Sequence, residues 1–143
     1  MLQQTQVKTV IPYFKNFVKK IPDLITLSAT NYRRVLKLWE GLGYYRRARN
    51  LHKTAKILIK KYNGKLPKKF EEIKKLPGVG EYTARALLAF VYNQSHIPFD
   101  GNIKRVFSRL FNTNLEKNEK KIKRIINEQF YMNRNGDLAE ALM

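Results

Sequence analysis

The stretch FDGNIKR, residues 99–105, sets one carboxylate, Asp100, at the mouth of a basic helix that carries Lys104 and Arg105. A carboxylate there can do two kinds of work. As an N-cap it accepts hydrogen bonds from the first free backbone N–H groups and suits the positive end of the helix dipole. Kept ionised by that helix terminus and by Lys104, it can also stabilise positive charge developing on a bound substrate. Residue type and position fit both roles.

A second stretch, LPGVGEYTA at residues 76–84, suits anion binding. A Gly-x-Gly turn between two helices lets the backbone take angles closed to other residues, and it bares N–H groups at the start of the second helix. Lys74, Lys75 and Arg85 add charge nearby. The same pattern also serves as a plain tight helical turn. Metal chemistry has little to stand on: the chain has no cysteine, and its two histidines, His52 and His96, lie far apart without carboxylates at ligand spacing.

The elements that must position these residues are helical. Val7, Val10, Ile11, Phe14, Val18 and Ile21 recur at three- and four-residue steps, with Pro12 marking a kink or a helix start. In TNYRRVLKLWEGLG, Thr30 or Asn31 offers a cap and Gly41 a stop. A longer helix is expected from about Tyr45 to Tyr62, with Ala48, Leu51, Ala55, Leu58 and Ile59 inward and Asn63-Gly64 as its end. PKKFEEIKKL and EYTARALLAFVYN flank PGVG, and GNIKRVFSRLF and LEKNEKKIKRIINEQFYM follow. Asp137 is expected to start a last helix, LAEALM. No segment alternates like a strand, so the expected class is all-α.

The bulk numbers bound the partner. Across 143 residues, 29 Lys and Arg stand against 11 Asp and Glu, a formal net charge of +18. With 43% apolar residues the chain can still bury a core, so the charge points to a polyanion, nucleic acid before an anionic membrane. No apolar run approaches the roughly 20 residues of a membrane span. MLQQTQV lacks the basic and apolar regions of a signal peptide. Both ends fall within patterned helices, so the sequence reads as a piece of a larger protein.

The hairpin at 76–80 followed about twenty residues later by IPFDGN resembles the helix-hairpin-helix DNA glycosylase superfamily. MLQQTQV (1–7), WEGLGYYRRARNL (39–51) and DGNIKRVFSRL (100–110) narrow the resemblance to the MutY-type adenine DNA glycosylases, over essentially the whole chain. It implies the helix-hairpin-helix glycosylase fold: a six-helix lobe over 1–95 with the hairpin at about 70–93, then a partial second lobe over 96–143. It implies excision of adenine opposite 8-oxoguanine or guanine in double-stranded DNA, by hydrolysis of the N-glycosidic bond. The protein would be a monomer in the cytoplasm, associated with the nucleoid.

The resemblance also implies roles. Asp100 is the catalytic carboxylate. Gln4 wedges beside the flipped adenine with Thr5 nearby, and Leu42 and Tyr44 probe the opposite base. Pro77, Gly78, Val79 and Gly80 hold a phosphate, with Asn102 and Lys104 at the following helix. Tyr82 stands where strand-cleaving relatives of the endonuclease III type carry a Schiff-base Lys, and a phenol forms no imine. The family's proton-donating Glu would precede Met1, and Glu40, Glu71, Glu72 and Glu81 occupy other motif positions. The family's [4Fe–4S] cluster, held by four cysteines, would follow LAEALM in the parent protein, so no cofactor is expected within these residues. Two rival readings are a glycosylase/lyase of the endonuclease III type and a non-catalytic hairpin module that docks on duplex backbone.

Overall fold

Short polar side chains open two of the helices. Asp23 accepts from the Thr26 N–H at 2.7 Å, a bond that also lowers its pKa, and Asn31 accepts from the Arg33 N–H at 2.9 Å. The computed structural model describes residues 1–96, Pro98, 101–112, Asn118, Lys120, Arg124 and 135–142. Among these residues the ordered elements are helices: α1 (Val7–Lys20), α2 (Leu24–Ala29), α3 (Tyr32–Trp39), α4 (Arg46–Tyr62), α5 (Phe70–Lys74), α6 (Glu81–Tyr92), α7 (Gly101–Leu110) and α8 (Asn135–Leu142). The expected all-α class holds. Most of the helix expected over LEKNEKKIKRIINEQFYM lies outside the described residues.

Backbone contacts gather the chain into two groups, residues 1–67 with 75–78, and residues 68–74 with 79–143. In the first, α2 and α3 pack on α4 while α1 packs on α3. Val10, Phe17, Ile21, Leu27, Val35, Trp39, Leu42, Ala48 and Ala55 form its core, with the Phe17 ring edge-on to Trp39 at 6.2 Å. In the second, α6 packs on α5 and α8, and α7 packs on α8. Ile103 and Phe107 anchor α7 from its buried side.

Of the two places the sequence allows Pro12, a kink or a helix start, the structure puts it inside α1; the burial of Val10, Phe17 and Ile21 outweighs the one hydrogen bond its ring removes. Two details depart from the sequence pattern. On α4 the buried face runs through Ala48, His52, Ala55 and Leu58, leaving Leu51 outside. The His52 imidazole is tolerated there because its Nε2 meets the Thr30 carbonyl at 2.9 Å and its ring stacks on Tyr32. The last helix starts at Asn135, not Asp137: Asn135 Nδ2 donates to the Asn93 carbonyl at 2.8 Å, and the Gly136 N–H donates to Asn93 Oδ1 at 3.1 Å.

Candidate nucleic-acid interface

Helix α4 supports most of the first group's candidate residues. At about 100° per residue its surface divides into three faces. Ala48, His52, Ala55 and Leu58 face the core. Arg47, Asn50 and Thr54 form a second face that holds two loops. Arg46, Arg49, Lys53, Lys56 and Lys60 form a third, which is exposed.

Arg47 ties two distant segments together. Its Nη1 donates to the carbonyls of Met1 and Gln3, and its Nη2 to those of Leu42 at 3.4 Å and Gly43 at 3.3 Å. The guanidinium also lies 5.6 Å from the Trp39 ring centroid and 5.3 Å from that of Tyr44, within cation–π range. Partial burial lowers its pKa, opposed by the nearby Tyr44, yet a guanidinium stays charged at any working pH. The Trp39 indole N–H donates to the Gly43 carbonyl at 3.1 Å from below.

This arrangement places the N-terminal segment and the GLGYY loop side by side. Gln4 is exposed with a left-handed backbone (φ 60°), and the Thr5 N–H closes a turn onto the Leu2 carbonyl at 3.1 Å. The Thr5 hydroxyl is buried without a partner among the described residues. Leu42 and Tyr44 separate sharply. Leu42 is 5% exposed and belongs to the core, whereas Tyr44 is 61% exposed and left-handed (φ 48°). Of the loop's two exposed tyrosines, Tyr44 is presented to solvent more fully than Tyr45, which is 47% exposed.

The hairpin turn leans on the same face of α4. The Thr54 hydroxyl donates to the Pro77 carbonyl at 3.1 Å. Gly78 has φ 78°, and a Cβ there would fall 2.7 Å from Asn50 Nδ2, so both backbone angle and space demand glycine. Val79 is half-buried. Gly80 is different: it is the N-cap of α6 with an ordinary φ of −86°, it contributes no side-chain cap, and nothing lies within 4 Å of where its Cβ would stand. An anion can approach that helix end without meeting a side chain from Gly80.

In the second group, Tyr82 is 41% exposed on the first turn of α6. Arg85 pairs with Glu81 at 3.1 Å, and its guanidinium lies 5.2 Å from the Phe70 ring, with Lys74 Nζ 5.7 Å from that ring. His96 stacks on Phe70 at 5.9 Å; burial first, and Arg85 second, hold its pKa below the usual value. On α7, exposed Asn102 accepts from Arg105 Nη2 at 3.1 Å, and Lys104 is half-buried. Asp100 lies outside the described residues.

The residues present do not fit an iron–sulfur cluster. The chain has no cysteine, and the described residues bring no three His, Asp or Glu together at metal-binding distance. Sequence reasoning missed Arg47. Its signal was an arginine three residues beyond the Tyr of the Gly-Leu-Gly-Tyr turn, next to the core-facing residue Ala48.

Comparison with known proteins accords with this geometry. Residues 1–131 match the model of the HhH-GPD superfamily base excision DNA repair protein family. The chain is 52% identical over 126 residues to an adenine DNA glycosylase of Buchnera aphidicola subsp. Baizongia pistaciae, covering 88% of this chain and 35% of that protein. It is 41% identical over 111 residues to the human adenine DNA glycosylase, covering 77% of this chain and 20% of that protein. The chain therefore spans about a third or less of the length of these curated relatives. Among solved structures, a trapped endonuclease III–DNA covalent intermediate superposes with a TM-score of 0.78 at 23% identity, over 99% of this chain and 66% of that one. A thermostable thymine-DNA glycosylase gives 0.77 at 24%, over 96% and 66%. The chain belongs to the HhH-GPD superfamily of base excision DNA repair proteins.

Proposed function

We propose that this chain is part of an adenine DNA glycosylase that binds duplex DNA, extrudes adenine paired with 8-oxoguanine or guanine, and hydrolyses its N-glycosidic bond. One observation carries the reading: the Arg47 guanidinium holds the Gln4 segment and the Tyr44 loop together. Those are the segments the resemblance assigns to the two sides of the mispair. A flipped base leaves a gap in the stack, and an exposed polar side chain and an exposed aromatic beside each other suit it. The 52% identity to a curated adenine DNA glycosylase supports the choice of base.

Breaking a purine N-glycosidic bond builds oxocarbenium character on the sugar, which a carboxylate stabilises. Asp100 is the residue proposed for that work. Tyr82 favours water over an enzyme amine as the nucleophile, because a phenol cannot form a Schiff base. Glu40 and Glu81 are engaged by Lys37 and Arg85 and are not proposed as proton donors.

The test is a single-turnover assay of adenine release in the full-length protein. Asp100→Asn is expected to cut the rate by more than about 10²-fold while binding to the mispaired duplex persists, since the amide keeps the shape and loses the charge. An Asn variant with undiminished turnover would leave Asp100 as only a helix cap.

A further inference from the structure

We infer that the exposed face of α4, formed by Arg46, Arg49, Lys53, Lys56 and Lys60, is a second phosphate-binding surface that carries duplex DNA flanking the damaged pair. The inference goes beyond the glycosylase reading and rests on it for the identity of the polyanion.

Four observations converge. The five cations recur at three- and four-residue steps, so they form one stripe, and all are exposed. From Arg46 to Lys60 the helix rises about 21 Å, and one DNA strand presents a phosphate every ~3.4 Å of axis, so the stripe spans about six phosphates. No carboxylate among the described residues pairs with any of the five, and α4 itself contains no Asp or Glu. A shallow groove of about 430 Å³ runs beside the stripe, lined by Tyr32, Arg49, His52, Lys53 and Lys56. Within it the Arg49 Nε donates to the Tyr32 hydroxyl at 3.4 Å, a long contact at the groove's edge.

Continuity supplies the occupant. The stripe begins two residues after Tyr44 and borders the α4 face that holds the Tyr44 loop. DNA engaged at that loop has the stripe as its nearest continuous cationic surface on this helix. A solvated basic face would have no reason to be length-sensitive. A flanking contact would.

The experiment compares duplexes of about one helical turn and about two turns, both with the mispair central, by the slope of log K against log salt. The variant Lys53→Gln/Lys56→Gln/Lys60→Gln removes three charges from exposed positions of similar helix propensity. A control, Lys15→Gln/Lys19→Gln/Lys20→Gln, removes three exposed charges from α1. Wild type is expected to show a steeper slope on the longer duplex. The α4 variant should lower that slope by about 2–3, at about 0.9 per phosphate contact, and leave the short duplex nearly unchanged. Lys→Arg at the same three positions should restore it. Equal losses in the α4 and α1 variants, or equal losses on both lengths, overturn the inference while leaving the glycosylase reading intact. Salt-independent binding by wild type would overturn both.

Discussion

The Leu42–Tyr44 loop and the Pro77–Gly78 turn lean on the same face of α4 but keep their shapes by different means. The first is held from outside itself: Arg47 bonds carbonyls at Leu42 and Gly43 as well as at Met1 and Gln3, and Trp39 bonds the Gly43 carbonyl. The second takes its shape from its own backbone, a left-handed glycine, and is tied to α4 only by packing on Asn50 and one bond from Thr54. A side-chain clamp can present a strained, non-glycine residue such as Tyr44, because the strain is opposed by contacts elsewhere. A glycine turn cannot present a side chain at all, and what it offers instead is bare backbone. The two constructions thus suit two jobs, insertion into a base stack and approach to a phosphate.

The largest effect should come from the clamp. Arg47→Ala removes charge-assisted bonds to four carbonyls and two cation–π contacts, and should cost roughly 3–4 kcal/mol in denaturant unfolding. It should also raise amide exchange in residues 1–5. Arg47→Lys should recover less than half, because an ammonium lacks the planar fork that reaches both segments. A loss under about 1 kcal/mol would mean that water replaces the clamp. Next comes Gly78→Ala, where the left-handed backbone and the approach to Asn50 together should cost roughly 2–3 kcal/mol. Adding Asn50→Ala should return only part of the steric share, because the Cβ of residue 50 would still stand 2.8 Å from the new one, and should leave the backbone share untouched, a separation that a double-mutant cycle reads.

That contrast also explains what was legible in the sequence. Gly78, Asn31 and the Asn63-Gly64 stop are readable because their signal is local: a special backbone angle or a cap belongs to one residue type within a few positions. Arg47 is not, because its acceptors lie at residues 1, 3, 42 and 43 and are backbone atoms, which carry no side-chain signature. The inward placement of Leu51 failed for a related reason. Hydrophobicity ranks Leu above His, but only the Thr30 carbonyl and the Tyr32 ring, both supplied by tertiary structure, make His52 the buried residue. The helix-mouth position of Asp100 is legible locally as a cap, its catalytic role only through the resemblance, and Asp100 itself lies outside the described residues.

The presented side chain should matter for recognition more than for folding. Tyr44→Ala should erode the preference for a duplex containing 8-oxoguanine by roughly 1–2 kcal/mol, the scale of one base–aromatic stack. Stability should change little, since Tyr44 is largely exposed. Equal losses on matched and lesion duplexes would contradict the role proposed for it. Gly80→Asp probes the glycine turn from its functional side. The position has ordinary φ and open space, so aspartate should fit and cap α6, adding a few tenths of a kcal/mol to stability. Yet it sets a negative charge where a phosphate would approach, so affinity for any duplex should fall several-fold. A folded variant that binds as well as wild type would remove the phosphate reading of this turn.

The smallest effect is one of pH, and it lies in the group of helices that contains α6. Arg47 itself keeps its charge throughout the accessible range. His96 should not. Burial and the neighbouring Arg85 disfavour its protonated form in the folded chain, whereas the unfolded chain titrates near the ordinary value of 6.5. The unfolded state therefore binds more protons in mild acid, and stability rises with pH across that window. The contribution is complete above about pH 6.5 and is lost progressively as pH falls toward the depressed folded value. His96→Gln, which cannot titrate, should flatten this limb of the melting temperature between about pH 7.5 and about pH 5, and leave the neutral-pH value nearly unchanged. Arg85→Gln should flatten it partly, because it removes the second of the two causes and leaves the first. If the acid limb survives His96→Gln intact, the stack of His96 on Phe70 is not what senses pH, and the carboxylates of the chain carry the whole dependence.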